Sequence, residues 1–419
     1  MRVFKFGGAS VKNAEAIRNV GTILNAFGGE EVLVVVSAMG KTTNALEALA
    51  LAYFQNNQDK YTKFKEVKSF HDEIIKDLLN GKSVRAYDDI ENLFIELECE
   101  IEGKPQIGFD QVYDQIVSYG EIFSSRILST YLNEAGVKNR WMDAQNFIIT
   151  DNTYREGKVN WNRTSHLIGS KLLPIVKKQM VVTQGFIGKN QDNFTVTLGR
   201  EGSDYSAAIF AYGLNAASVT IWKDVAGVMN ADPKLFPDAI KIETISYPKA
   251  IEMAYYGATV IHPKTIQPLQ SKNIPLFVKS FVDPSAAGTT VGVENETIKQ
   301  LPTIIKKGKQ VLLSFSTKDF SFIAEENLSK LFSVFASFKI RINVMQSSAI
   351  SFSVCVDDEE DKIEGMRNEV KQEYDISIVK GVELLTLINF EKENATQLLN
   401  GKQIILEQKT QNTLQLVIK

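Results

Sequence analysis

The stretch Gly199-Arg-Glu-Gly-Ser-Asp204 constrains the fold of this chain more than any other segment. A strand-like run, Phe194-Thr-Val-Thr-Leu198, precedes it and a helix-like run from Asp204 to Leu214 follows. A glycine-rich strand-to-helix turn of this kind belongs to α/β proteins, where backbone amides and the positive helix end converge on whatever anion sits in the turn. Such turns also serve purely as connections, so the stretch alone leaves both readings open.

A second turn of the same design stands at the amino terminus. Val3-Phe-Lys-Phe6 reads as a buried strand carrying one lysine, and Gly7-Gly8-Ala9-Ser10 follows before the helical spacing of Ile17, Val20, Leu24 and Phe27. A lysine in a strand is usually an edge charge. Placed directly before a glycine pair, Lys5 instead suits anion binding, with Gly7 and Gly8 letting the backbone approach the same oxygens.

The pattern continues as strand, helix, strand through Val32 to Ser37, then helices to about residue 135, including a block with Ile90, Leu93, Phe94, Leu97 and Ile101 that forms a lobe over one sheet edge. Strands are expected at Phe147–Thr150, Met180–Thr183, Val219–Trp222 and Pro275–Val278. The expected fold is an α/β protein, an αβα sandwich with a mostly parallel sheet over residues 1–295. Residues 283–310, with Pro284, Gly288, Pro302 and Lys306-Lys-Gly-Lys309, read as a linker. Beyond it the order becomes βαββαβ over 310–380, a ferredoxin-like unit, and residues 381–419 read as a shortened second copy.

Composition narrows the function. The 419 residues imply more than one domain, and 44% apolar with 23% charged residues is ordinary for a soluble globular chain. Forty-seven basic against 50 acidic residues give a net charge of −3, with no basic excess for nucleic acid. The longest aliphatic run, Val32 to Val36, is too short for a membrane, and the start of the chain has no signal-peptide character, so a cytoplasmic location is expected. Two cysteines, Cys99 and Cys355, make no disulfide framework or metal cluster. Three histidines, His71, His166 and His262, read as structural or surface groups, which leaves histidine acid/base and zinc chemistry aside.

Gly40-Lys41-Thr42 resembles the end of a P-loop, but position 35 is valine where that motif requires glycine. Val34 to Thr42 reads as a strand entering a turn, with Ser37 either facing a phosphate or simply connecting. In the loop Trp222-Lys-Asp-Val-Ala-Gly-Val-Met-Asn-Ala-Asp-Pro233, Asp224 and Asp232 suit a ribose or hydrated magnesium; Asp232 before Pro233 suits a plain turn better.

Six segments in order now resemble the aspartate kinases, of the amino-acid kinase fold with ACT regulatory domains. They are Lys5 to Ser10, Val35 to Thr43, Ser118-Tyr-Gly-Glu121, Thr197 to Ser206, Trp222 to Pro233, and Tyr256-Gly-Ala-Thr-Val-Ile-His-Pro263. The resemblance implies transfer of the ATP γ-phosphoryl group, with Mg2+, to the side-chain carboxylate of L-aspartate, giving 4-phospho-L-aspartate, the first step toward lysine, threonine and methionine. That carboxyl has a pKa of about 3.9 and needs no general base. The difficulty is bringing an anion up to a polyanion.

By the resemblance, Lys5 stabilises the transferring phosphoryl group, with Gly7, Gly8 and Ser10 along its path and Ser37 near it. Arg200 clamps the aspartate α-carboxylate and Glu121 accepts its ammonium. Asp204 orients Lys5 or the substrate amine, and Gly202 and Ser203 complete the acceptor site. Lys223 and Asp224 match the nucleotide-binding pair, with Met229 and Lys234 nearby. Ala9 replaces a threonine common in relatives, and Thr259 replaces a nucleotide lysine whose place Lys264 is left to take. The resemblance also implies a homodimer or higher assembly through the ACT units and an amino-acid effector there. In the run Arg341 to Ala349, Asn343 and Ala349 stand where lysine-sensing relatives carry acids, which argues against lysine; Asn343 and Gln346 offer neutral hydrogen bonds. With no homoserine dehydrogenase portion read after the ACT region, a monofunctional aspartate kinase is expected. Kinases of the same fold acting on glutamate, acetylglutamate or UMP, and a catalytically silent ACT sensor, are the competing readings.

Overall fold

The computed structural model describes residues 1–79, 84–258, 261–292, 301–319, 321–390, 399 and 401–419, with the backbone alone for 84–87. These fall into two compact units, one of Met1–Val228, Lys241–Ile251 and Thr259–Glu296, the other of Met229–Ile240, Glu252–Ala258 and Thr297–Lys419. The expected boundary near residue 295 and the departure at Thr259 lie outside the described residues.

Ten strands belong to the first unit: β1 (Arg2–Phe6), β2 (Val32–Val36), β3 (Asn139–Trp141), β4 (Met180–Gln184), β5 (Ile187–Lys189), β6 (Thr195–Thr197), β7 (Ser218–Lys223), β8 (Thr244–Ser246), β9 (Leu276–Ser280) and β10 (Thr289–Gly292). Eight form one sheet in the order β3-β4-β2-β1-β7-β9-β10-β8, parallel except for β9 with β10, while β5 and β6 make a separate hairpin. β1 is therefore interior to the sheet, between β2 and β7, and Lys5 is not an edge charge.

Alternation along β1 decides where Lys5 points. Phe4 and Phe6 enter a core shared with Val34, Val36, Trp222 and the helices Ala14–Asn25 and Tyr119–Glu134. Lys5 faces the other side, covered by the helix Gly202–Leu214 through Asp204.

One sequence expectation changes here. Phe147–Thr150 is buried but is no strand: Ile149 with Lys189 of the hairpin and Thr150 with Val159 make only isolated bridges, and Thr164 Oγ1 accepts the Ile149 amide at 3.0 Å. The strand in that region is β3, Asn-Arg-Trp, at the sheet edge where one-sided pairing tolerates polar residues.

In the helical lobe, His71 is fully buried, its Nδ1 2.7 Å from Val67 O and its Nε2 without a partner beside Phe94 and Phe123. Burial holds it neutral, lowering its pKa to about 4, against the backbone bond to Val67 that favours the charged form. The unfolded histidine binds its proton at about 6.5, so stability is unaffected above that pH and falls as the pH drops toward 4, by about 3 kcal/mol. Urea unfolding of wild type and His71→Leu at two pH values measures this: the variant should lose less stability on acidification, and equal losses would contradict it.

The second unit contains β11 (Thr303–Thr317), β12 (Ile342–Ser347), β13 (Phe352–Asp357), β14 (Tyr374–Ile388), β15 (Ile404–Lys409) and β16 (Thr413–Ile418), an antiparallel sheet in the order β12-β13-β11-β14-β16-β15. With the helices Glu325–Ser337 and Glu360–Val370, β11 to β14 form the ferredoxin-like βαββαβ arrangement of an ACT unit. The stretch read as the end of a linker is instead the first half of β11. Lys306 pairs with Glu383 at 2.8 Å and Lys307 with Asp357 at 3.3 Å, while Ile305 between the flanking residues is buried, so the lysines are strand charges with partners. Thr303–Lys307 pairs with the second half of β14, which also pairs with β16, so residues 381–419 share a sheet with a strand that precedes β12 in sequence.

Candidate active site

Each parallel strand near the centre of the first sheet ends at a loop that carries one of the predicted groups, at the carboxyl end where open α/β sheets bind ligands. After β1, Ser10 N bonds Gly7 O at 2.9 Å and Ser10 Oγ donates to Trp222 O at 3.3 Å. After β2, Ser37 N donates to Phe6 O at 3.1 Å, while Ser37 O accepts Ser124 Oγ at 2.6 Å. Gly40 N bonds Gly8 O at 3.1 Å, and a Cβ at Gly8 would stand 2.8 Å from Ala38 O. Gly8 is thus required for two turns to touch, a packing reason beside the anion-binding one.

Lys5 Nζ lies 2.6 Å from Asp204 Oδ1, both side chains almost fully buried. Burial pushes the Asp204 carboxyl up, but the ammonium groups of Lys5 and Lys223 outweigh it and hold it below the usual carboxylate range. Glu121 is buried in the first turn of the helix Tyr119–Glu134; its Oε1 accepts Ala38 N at 3.2 Å and its Oε2 has no hydrogen-bond partner. Burial raises its pKa to about 8, against the Ala38 amide and the field of Lys5. Lys5, Asp204, Lys223 and Glu121 therefore form one electrostatic cluster.

Gly202 N closes the turn onto Gly199 O at 2.9 Å, and Glu201 between them takes a left-handed φ of 54°. Arg200 is exposed at this turn, with no ion pair among the described residues, and Ser203 is buried in the first turn of the helix. Asp224 is exposed directly after β7. Lys264 sits in the first turn of the helix Pro263–Ser271, its amide capped by His262 Nδ1 at 3.2 Å. Met229 and the exposed Lys234 belong to the second unit, where Asp232 Oδ1 accepts Lys234 N at 2.9 Å in the side-chain turn that Asp-Pro favours.

Sequence reasoning missed three residues that position these groups. A Cβ at Gly185 would meet Ser203 Cβ at 2.5 Å, so only glycine lets β4's end approach the helix Gly202–Leu214. Phe186 holds a φ of 68°, unusual for a bulky residue, fixed by Ser206 Oγ accepting its amide at 2.9 Å and Leu198 N donating to its carbonyl at 2.8 Å. Asp114, fully buried, accepts Thr197 Oγ1 at 2.7 Å and the amides of Thr197 and Arg155, each at 2.9 Å. Burial raises its pKa to about 6 against those bonds. It ties the strand leading to Arg200 to the helix Phe109–Val117. Its signal was an acid inside the apolar stripe Val112, Tyr113, Ile116, Val117.

The model of the Amino acid kinase family matches residues 1–280. Lysine-sensitive aspartokinase 3 of Escherichia coli strain K12 is 31% identical over 355 residues, covering 85% of this chain and 78% of that protein. The chain belongs to the aspartokinases of the amino acid kinase family. Its fold matches the crystal structure of E. coli aspartokinase III in complex with aspartate and ADP (R-state) with a TM-score of 0.85 at 27% identity, covering all of this chain and 96% of that one. The complex of the same enzyme with lysine and aspartate (T-state) gives 0.83 at 28%, with 100% and 95% covered. This aspartokinase is a kinase, a phosphotransferase. Among the described residues no helix is long and apolar enough to cross a membrane.

Proposed function

We propose that the chain phosphorylates the side-chain carboxylate of L-aspartate with ATP, giving 4-phospho-L-aspartate at the head of the lysine, threonine and methionine branch in the cytoplasm. The observation that carries this reading is the buried Lys5–Asp204 pair at the carboxyl end of an interior strand. Lys5 is a fixed cation where a phosphoryl group would pass, and Asp204 sets its position; Gly7, Gly8 and Ser10 line the approach. Glu121 Oε2, buried without a partner, suits an α-ammonium. The unpaired guanidinium of Arg200 suits the α-carboxylate by its fork, with Gly202 and Ser203 at the helix end beside it. The substrate is thus held at both charged termini, leaving its side-chain carboxylate to attack.

Lys223 and Asp224, with Lys264, would meet the nucleotide, and Met229 and Lys234 keep the nucleotide role the family motif gives them. Mg2+ would arrive on the nucleotide phosphates, as it usually does in phosphoryl transfer, held by few protein carboxylates. When bound, it neutralises phosphate charge.

Glu121 sets a pH dependence. An ammonium needs the carboxylate ionised, and burial leaves it protonated below about 8. The KM for aspartate should fall about tenfold per unit as the pH rises toward 8 and then level. Glu121→Gln should raise KM and flatten the profile; a wild-type profile that is already flat would contradict the role.

For the ACT region we propose an amino-acid effector other than lysine and assembly as a homodimer or larger. Asp357 Oδ1 already accepts from Lys307, Gln310 and Asn343, and Asn343 Nδ2 donates to Gln310 Oε1 at 2.8 Å. A lysine ammonium would have to displace Lys307 there, whereas Gln346 is exposed.

Trapping the acyl phosphate with hydroxylamine tests the proposal. Aspartate should give hydroxamate while glutamate and acetylglutamate do not, and added lysine should leave the rate unchanged. Product from glutamate or acetylglutamate alone would replace the reading, and no product from any acceptor would favour a silent sensor.

A further inference from the structure

A cavity of about 370 Å³ opens in the first unit, away from the residues assigned above, between the loop after β3, the hairpin strand β5 and the helical segments Trp161–Leu167 and Leu173–Val176. Arg163, Lys171 and Lys189 line it, and among the described residues none of the three makes an ion pair. Its walls are apolar, with Phe147, Leu167 and Ile175. Asp143, which accepts the Gln145 amide at 3.0 Å, feels Lys189 and offsets part of that lysine's charge, leaving Arg163 and Lys171 as the uncompensated cations. Arg163 and Lys171, both exposed and without an ion pair among the described residues, therefore give the mouth of the cavity a net positive charge that favours a visiting anion.

The backbone supplies a second observation. Ile168–Leu172 is a π-helical turn joining the two helical segments, a conformation that is rare and is frequently kept at functional sites. It packs closely on the next helix: a Cβ at Gly213 would meet Ile168 Cδ1 at 2.7 Å. The turn contains Lys171 and directly follows Leu167, so the irregularity shapes the cavity wall itself.

We propose that this cavity binds a small organic anion with an apolar body, a carboxylate or phosphate ester about the size of one aromatic ring. The volume lies at the small end of the range for ligand pockets, about 300–1,000 Å³, which excludes a dinucleotide. The cations hold the anionic head and the apolar wall takes the body, so neither half alone should bind as well.

Isothermal titration of the full chain with phenylpyruvate, phenyl phosphate and inorganic phosphate tests this without reference to kinase turnover. One of the two aromatic anions should bind at a single site, and which of them does so identifies the head group. Its affinity should exceed that of inorganic phosphate by at least about tenfold, or 1.4 kcal/mol. Lys171→Glu and Arg163→Glu should each weaken it by about tenfold or more, with unchanged circular dichroism and unchanged kinetics for both substrates. Should either reversal disturb folding, Lys171→Gln keeps the stem, removes the charge and should show the same direction of loss. No saturable binding of either aromatic anion, binding equal to that of inorganic phosphate, or binding undiminished in the folded variants would overturn the proposal.

Discussion

Lys5→Ala is expected to lower kcat by about 10²–10³-fold, the scale for removing one preorganised donor from a developing phosphoryl charge. The argument starts from where the sequence places the lysine. It lies in an interior parallel strand with Val35 and Ile221 as register partners, one residue before the strand ends, on the face covered by Asp204. Burial makes its charge stronger than a surface lysine's would be. The same burial predicts a stability cost of up to about 3–5 kcal/mol, since truncation removes the ion-pair partner 2.6 Å from the buried Asp204 and leaves it only the field of Lys223. The double variant Lys5→Ala/Asp204→Asn should regain much of that stability and none of the turnover. Stopped-assay kcat values alongside urea unfolding check both halves, and a double variant that recovered turnover would show that Lys5 acts only through folding.

Arg200→Ala is expected to raise the KM for aspartate by about 10–100-fold, as loss of a charged hydrogen-bonding partner of about 1.5–3 kcal/mol implies. The KM for ATP should hardly change. The side chain is exposed and unpaired among the described residues, so its removal leaves no buried charge behind and stability should be unaffected. Arg200→Lys should rescue little, because a point charge does not reproduce a two-pronged contact. Initial-rate kinetics with each substrate varied in turn measure this; a defect confined to ATP would place Arg200 on the nucleotide.

Much of this site was legible because its chemistry is local in sequence. Lys5 with Gly7 and Gly8, and Gly199 to Asp204, each place a charge and a turn within a few residues, and strand-to-helix punctuation tells where such turns fall. The Lys5–Asp204 contact joins residues far apart in the chain, and only the family resemblance linked them in advance. Other features were hidden for physical reasons. Phe147-Ile-Ile-Thr150 has the apolar character of a strand because it is buried, yet its backbone bonds go to Ala144, Thr164 and Lys189 instead of a ladder. Asn139–Trp141 has no apolar alternation because it is an edge strand. Lys306 and Lys307 looked like linker charge because their partners, Glu383 and Asp357, are distant in sequence. Gly185 follows a strand as many glycines do, and nothing local reveals that Ser203 will stand against it.

The account rests on an acceptor carboxylate brought to the nucleotide between Lys5 and Arg200, and a crystal structure with aspartate and a non-hydrolysable ATP analogue measures that directly. It should show a side-chain carboxylate oxygen of aspartate about 3–3.5 Å from the γ-phosphorus, in line for attack, with Lys5 Nζ on the γ-phosphate, Arg200 on the α-carboxylate and Glu121 on the ammonium. Aspartate bound with its α-carboxylate toward the phosphorus, or Lys5 and Arg200 each contacting a ligand in separate clefts, would contradict it.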